Sequence, residues 1–210
     1  MRPRSAGALY LVTHVTSIGA VILYGRLLTD PSVGTSMNVQ VGALLEIILA
    51  LAVIGTAVAL YPILRPYGEA VALGYVGLRT LEAAVIVVGV IPLLALPSPD
   101  AATLVAMHNA TFLLGPGFVC GANTVLAAYL VLRAGLAPKI VPILGLVGGP
   151  LLFLVSAAQL LGLVTQFSVA AAIPAAPVLL WELGLAISLI VRSNLGERVA
   201  AHVLPTPAHG

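Results

Sequence analysis

Residues 68–94 form an apolar run that is long enough to cross a lipid bilayer as a helix, yet this run carries Arg79 and Glu82 near its middle. About a dozen Leu, Ile and Val residues favour its insertion by about 0.3 to 0.6 kcal/mol each, whereas each ion opposes insertion by about 2.5 to 3.5 kcal/mol. Insertion of this helix alone is therefore close to break-even. The run predicts a membrane helix whose charges are paired by neighbouring helices.

Five further apolar runs approach or exceed the length of a membrane span, in a chain that is 60% hydrophobic and only 8% charged. The runs cover residues 6–24, 41–64, 101–132, 140–164 and 178–191. Because ten-residue segments of alternating polarity are absent, the pattern excludes an outer-membrane barrel. It predicts an all-α, polytopic bundle of six transmembrane helices, with one domain at 1–195 and a short cytoplasmic tail at 196–210.

The fourth run is too long for a simple span, since about 32 residues would reach ~48 Å across a hydrocarbon core of ~30 Å. Gly115, Pro116 and Gly117 predict a break, with a shallow or tilted segment before it and the true span after it. Residues 25–40 and 165–177 predict external connections. In the fifth run Gly145 and Gly149 are four residues apart, a spacing that permits backbone contact with a neighbouring helix.

The basic residues predict the orientation of the bundle, because Lys and Arg concentrate on the cytoplasmic side of membrane proteins. With the N-terminus inside, one arginine, Arg26, is external and Arg79 is in the membrane. Cytoplasmic ends then hold Arg2, Arg4, Arg65, Arg133, Lys139, Arg192 and Arg198. Both termini are therefore expected in the cytoplasm, with the first run kept as an uncleaved helix. The excess of Arg over Lys hints at a GC-rich bacterium, and hence at its cytoplasmic (inner) membrane.

Basic residues scattered singly at helix ends give no patch for nucleic acid, and the single cysteine, Cys120, excludes an internal disulfide. On the first helix Tyr10, His14 and Ser17 share a polar stripe. We interpret His14 as a neutral ring hydrogen-bonded to a neighbour. A role for this ring as a ligand or proton relay is the alternative.

Ionisable residues inside a membrane face a bundle interior or a wet cavity, so they are the candidate site. Tyr75, Arg79 and Glu82 share one stripe of the third helix, and a guanidinium with five donors needs acceptors beyond one carboxylate. Other polar residues at similar depth, in the outer half of the bilayer, are expected to join them. The predicted single cluster contains Tyr75, Arg79, Glu82, Glu46, His108, Asn123 and Glu182.

Three carboxylates against one arginine leave a net charge of −2, so we expect either a protonated carboxylate or a bound cation or cationic ligand. Several functions stay open: ions that only lock the bundle, or the binding or transport of a small solute or proton. A metal-dependent hydrolase using His14, His108 and a glutamate has no HExxH motif, and haem ligation by the two histidines has no motif either. We predict no catalytic residue, metal or cofactor, and the lipid bilayer as partner; a homo-oligomer is possible.

Four motifs resemble the bacterial integral-membrane family known as domain of unknown function 4386: ALGYVGLRTLEAAVIVVGV at 72–90, HNATFLLGPGFVCGAN at 108–123, ILGLVGGPLL at 143–152 and PVLLWELGLAISLIVR at 177–192. The resemblance implies a six-helix membrane protein but no activity. The residues that match the recurrent pattern are Arg79, Glu82, Gly115, Pro116, Gly117, Asn123, Trp181 and Glu182. Helix one matches this pattern less clearly, so the resemblance adds nothing to a role for His14.

Overall fold

The computed structural model describes residues 3–30 and 37–203, with side chains described as far as residue 191. Over these residues the chain is helical without strands, and six helical segments are long and apolar enough to cross a membrane. The prediction of an all-α, six-span membrane protein is confirmed. Its division at residue 195 stays a prediction.

Eight α-helices follow one another in the described part of the chain. Their bounds are α1 Pro3–Tyr24, α2 Met37–Leu64, α3 Glu69–Leu94, α4 Ala101–Phe112, α5 Cys120–Ala134, α6 Ile140–Leu160, α7 Val169–Ala172 and α8 Ala175–Val203. Short 3₁₀ turns follow α1 at Gly25–Leu28 and α2 at Arg65–Tyr67, and a π-helical segment, Leu113–Val119, joins α4 to α5.

The helices close into a ring. α1 packs against α2 and α8, α2 against α3, α3 against α4 and α5, α5 against α6, and α6 against α8. At one end of the ring the interior is filled by large side chains with little or no exposure, among them Leu60, Leu64, Leu130, Leu185 and Leu189. The interior at the other end holds the polar residues described below.

The fourth span differs from the prediction. α4, the π-helical segment and α5 form one uninterrupted helical run, Ala101–Ala134, of 34 residues. Pro116 lies inside the π-helical segment, where the wider turn accommodates a residue that has no N–H and that would crowd the preceding turn of an α-helix. The predicted break at Gly115–Gly117 is thus a local change of winding, and the expected separate shallow segment is wrong.

Several helix ends also differ. α2 begins at Met37 rather than 41, which shortens the connection predicted at 25–40, and α7 lies within the connection predicted at 165–177. α8 begins at Ala175 and continues to Val203, beyond the end predicted at 191. The last residues of the predicted tail, 204–210, lie outside the described part of the chain.

α5 and α6 touch through their backbones at Gly149, a contact that the glycine spacing in α6 permits. A Cβ built on Gly149 would lie 2.7 Å from the Gly121 carbonyl oxygen, and one built on Gly121 would lie 2.8 Å from the Gly149 carbonyl oxygen. Real Cβ atoms do not approach a backbone atom so closely, so any side chain here forces the helices apart.

Gly149→Ala is therefore expected to lower the free energy of unfolding by about 1 to 3 kcal/mol, the usual cost of overpacking a close contact. Gly77→Ala is the matched control, because a Cβ at this exposed position of α3 meets nothing within 4 Å. Its effect should stay below about 1 kcal/mol. Unfolding titrations in mixed micelles measure both, and equal losses in the two variants would contradict this packing.

Candidate functional site

Arg79 of α3 is buried, with 2% of its surface exposed, and binds two carboxylates. Its Nη1 donates to Glu82 Oε2 at 3.1 Å, one turn away on the same helix. Its Nη2 donates to Glu182 Oε1 at 2.8 Å, on α8. One of the two acids, Glu182, comes from a separate helix, as expected.

Two tyrosines complete the surroundings of the guanidinium. Arg79 Nε donates to Tyr75 Oη at 3.4 Å, and Tyr75 Oη lies 2.8 Å from Tyr10 Oη. The guanidinium carbon lies 5.2 Å from the centroid of the Tyr10 ring, within the range of a cation–π contact. Tyr10 thus brings α1 into contact with the ion pair of α3 and α8.

Asn123 of α5 binds the carboxylate of Glu82. Its Nδ2 donates to Glu82 Oε2 at 2.7 Å, so this oxygen accepts from both Asn123 and Arg79. The Asn123 side chain is buried at 1% exposure. Four helices, α1, α3, α5 and α8, therefore meet at one hydrogen-bonded group of charges, which we call the Arg79 cluster: Tyr10, His14, Tyr75, Arg79, Glu82, Asn123 and Glu182.

His14 belongs to this cluster because it approaches Glu182. Its Nδ1 lies 2.8 Å from the Tyr10 carbonyl oxygen, which can only accept, so Nδ1 carries a hydrogen. In the neutral ring Nε2 is then an acceptor, and it lies 3.4 Å from Glu182 Oε2. The two atoms attract each other only when a proton is added to the pair. The predicted hydrogen bond to a neighbour is confirmed, whereas the contact with Glu182 was not foreseen.

The Arg79 cluster is not electrically balanced by its own side chains. With His14 neutral and both carboxylates ionised, one positive and two negative charges leave a net charge of −1. One added proton, or one bound cation, makes the cluster neutral. Away from bulk water such neutralisation is strongly favoured.

A cavity of about 500 Å³ lies in the centre of the ring, next to the Arg79 cluster. Its walls are mostly apolar and include Ile18, Leu49, Val53, Ile86, Phe112 and Leu179. The cluster contributes His14, Arg79, Glu82 and Glu182 to its lining. The His14 and Glu182 side chains are each 12% exposed, against 3% for Arg79 and 5% for Glu82. His14 and Glu182 are therefore the charged groups most accessible to a molecule in the cavity.

The Arg79 cluster forms the floor of this cavity. On α8, Ala175, Val178 and Leu179 line the cavity before Glu182 is reached, and the fully packed Leu185 and Leu189 follow it. The other helices repeat this order, with cavity-lining residues on one side of the cluster and buried core residues on the other. The cavity therefore extends from the end of the bundle near α7 only as far as the charges.

Glu46 and His108 do not join the Arg79 cluster, which corrects the prediction of a single site. His108 Nε2 lies 3.7 Å from Glu46 Oε1, and His108 Nδ1 lies 2.9 Å from the Gly89 carbonyl oxygen. Gly89 is seven residues beyond Glu82 on α3, or about 10 Å along the helix. The residue counts used for the prediction did not reveal this offset along the helix axis, because they assumed that the fourth span breaks at Gly115–Gly117.

The structure thus brings together five of the seven predicted site residues: Tyr75, Arg79, Glu82, Asn123 and Glu182. Because His14 and His108 lie in different clusters, a metal or haem site that uses both is contradicted. Within residues 3–30 and 37–191, whose side chains the structure describes, no group of three or more His, Cys, Asp or Glu is placed to hold a metal ion.

A model of the family described as Domain of unknown function (DUF4386) matches residues 5–193. The match includes α1 residues Tyr10 and His14, in the helix that carried the weakest resemblance at the level of motifs. No curated protein and no solved structure matches the chain.

Proposed function

We propose that this chain, a multi-pass membrane protein that belongs to the domain of unknown function 4386 family, binds a small organic cation in its central cavity. The cation has an apolar body and belongs to the class of hydrophobic amines. The observation that supports this proposal is the cavity of about 500 Å³, apolar in its walls and acidic at its floor. Its volume lies in the range of pockets that hold small organic molecules.

The charge of the ligand follows from the hydrogen bonds of the Arg79 cluster. Arg79 already donates three of its five N–H groups, through Nη1, Nη2 and Nε, and its positive charge is outweighed by two carboxylates, so the net negative cluster repels an anion. Among the residues that the structure describes, Glu182 Oε2 by contrast faces the unprotonated Nε2 of His14, at 3.4 Å. An ammonium group supplies both the missing donors and the missing positive charge, while its apolar part packs against the cavity walls.

We place the protein in the bacterial cytoplasmic membrane with both termini in the cytoplasm, following the distribution of Arg and Lys. In this orientation the cavity lies toward the outer side. The lipid bilayer is its surroundings, and a homo-oligomer stays a prediction.

Proton-coupled transport is a second candidate, supported by the position of the Arg79 cluster between an open cavity and a packed core. A site reached from one side and closed on the other is what an alternating-access carrier needs. Either a proton on the His14–Glu182 pair or a bound amine neutralises the Arg79 cluster. Exchange of the proton for the amine would therefore couple proton movement to amine transport.

A matched panel of three compounds tests the proposal: an arylalkylamine, its N-acetyl amide and the carboxylic acid of the same length. Binding to the purified protein in micelles is measured by calorimetry. We expect the amine to bind at least about tenfold more tightly than the amide or the acid, which is about 1.4 kcal/mol. An acid that binds as tightly as the amine would contradict it. Failure of a wide series of amines to bind the folded protein would favour ions that only lock the bundle.

A further inference from the structure

A second, much smaller cavity lies among α1, α2 and α4, with a volume of about 10 Å³. Tyr24, Glu46, His108 and Asn109 line it. A volume of about 10 to 15 Å³ is what one water molecule needs, so an organic ligand does not fit.

Three buried atoms at this cavity have no partner that meets hydrogen-bond geometry within the part of the chain that the structure describes: Tyr24 Oη, Glu46 Oε2 and Asn109 Oδ1. The Tyr24 hydroxyl and the Glu46 carboxylate nevertheless lie close to each other. Glu46 is 3% exposed. A buried polar atom without a partner is destabilising, and a buried carboxylate without one is more so. Three such atoms around one cavity point to a bound group that satisfies them together.

The tautomer of His108 adds a fourth acceptor. Because the Gly89 carbonyl accepts a hydrogen bond, His108 Nδ1 carries a hydrogen, and Nε2 of the neutral ring faces Glu46 Oε1 at 3.7 Å. Two acceptors that face each other across this distance need a proton on one of them. Among the side chains described, the titratable groups that face Glu46 are Tyr24 from α1 and His108 from α4, while α3 packs against this part of α2 with Ala83 and Ile86.

We propose that Glu46 and His108 hold one exchangeable proton between them and that one water molecule occupies the small cavity. The water accepts from Tyr24 O–H and donates to Glu46 Oε2 and Asn109 Oδ1, which gives it three partners, the usual number for a buried water. The proton neutralises the pair. Calcium and magnesium would instead need about six or more oxygen ligands, whereas Tyr24, Glu46 and Asn109 together supply four side-chain oxygens to this cavity.

The proton site adjoins the central cavity without belonging to it. Phe112 and Phe167 line both cavities and form the wall between them. Two hydrogen bonds of Asn109 stabilise this wall. Its backbone oxygen accepts from Gln166 Nε2 at 2.9 Å, and its Nδ2 donates to the Leu28 carbonyl oxygen at 3.0 Å. The proton site depends on Glu46, His108 and the small cavity, and it is therefore independent of amine binding in the central cavity.

Infrared difference spectra of the purified protein between acidic and alkaline buffer test the proton site. The wild-type protein and Glu69→Gln, which removes an exposed carboxylate, should both show loss of a buried carboxylic acid band at alkaline pH. Glu46→Gln should lose the part of that band that belongs to Glu46, whereas any part contributed by Glu182 should remain. Wild-type and Glu46→Gln spectra that agree would overturn the proposal, whatever the result of amine binding.

Tyr24→Phe provides a second measurement if Glu46→Gln does not fold, because it keeps the aromatic ring, 5.4 Å from the His108 ring, and removes only the hydroxyl. We expect the carboxylic acid band to shift, since the bridging water loses a partner, and an unshifted band would overturn the bridge. Exchange of K⁺ for Na⁺ should leave the wild-type band in place. Its loss on addition of Na⁺ would assign the site to a metal ion rather than to a proton.

Discussion

Arg79→Met is expected to lower the free energy of unfolding by about 3 to 5 kcal/mol, because Glu82 and Glu182 would remain buried near one another without a cation. Methionine keeps much of the volume of the side chain, so the loss reports on charge rather than on a cavity. Unfolding titrations in mixed micelles, followed by the fluorescence of the single tryptophan, Trp181, measure it.

Arg133→Met is a closely matched control. Arg133 donates to the hydroxyl of Tyr129 four residues earlier, at 3.3 Å, as Arg79 does to Tyr75 at 3.4 Å, but it is exposed at the end of α5. Its replacement should cost less than about 1 kcal/mol, as for exposed polar pairs. Equal losses in Arg79→Met and Arg133→Met would contradict the ion-pair account.

The triple variant Arg79→Met, Glu82→Leu, Glu182→Leu separates structure from binding. Buried ion groups can often be replaced together by apolar residues without loss of stability, so most of the loss caused by Arg79→Met should be recovered. The same variant has no charge at the cavity floor and should not bind the amine. Normal amine binding by the triple variant would show that the Arg79 cluster is not part of the binding site.

Glu182→Gln should weaken the binding of the amine by about 10- to 100-fold, the value of one charge-assisted hydrogen bond of about 1.5 to 3 kcal/mol. Glutamine keeps the volume of the side chain and can still accept from Arg79. Calorimetry with the arylalkylamine measures the change, and Glu69→Gln, at the exposed start of α3, should bind as the wild-type protein does.

Two outcomes of the Glu182→Gln experiment would contradict this account. Folded Glu182→Gln that binds the amine within twofold of the wild-type affinity would exclude Glu182 as the contact of the ammonium. Loss of folded protein on Glu182→Gln, although the amide preserves a hydrogen-bond acceptor, would support ions that act only in holding the helices together.

The partnership of Arg79 with Glu82 and Glu182 was predictable because a guanidinium inside a membrane demands acceptors, and few acids lie at that depth. The number of spans followed from the apolar runs in the same way. Both predictions depend on properties of short segments, namely the apolar length of a span and the acceptors that a buried guanidinium needs. These properties can be read from the sequence.

The separation of Glu46 and His108 from the Arg79 cluster was not predictable, because residue counts give the depth of a side chain but not the offset and rotation between helices. Winding also matters, since Pro116 is absorbed by a π-helical turn instead of ending a helix. The contact of His14 with Glu182 is of the same kind. The polar stripe on α1 marked His14, but only the packing of α1 against α8 selects its partner.

The structure of the protein with a bound brominated amine tests the central claim most directly, because anomalous scattering locates the bromine without ambiguity. The account predicts the ammonium nitrogen at hydrogen-bond distance from Glu182, the bromine among the apolar walls of the central cavity, and Arg79 still bound to Glu82 and Glu182. Bromine outside the cavity, or Arg79 turned away from both carboxylates, would contradict it.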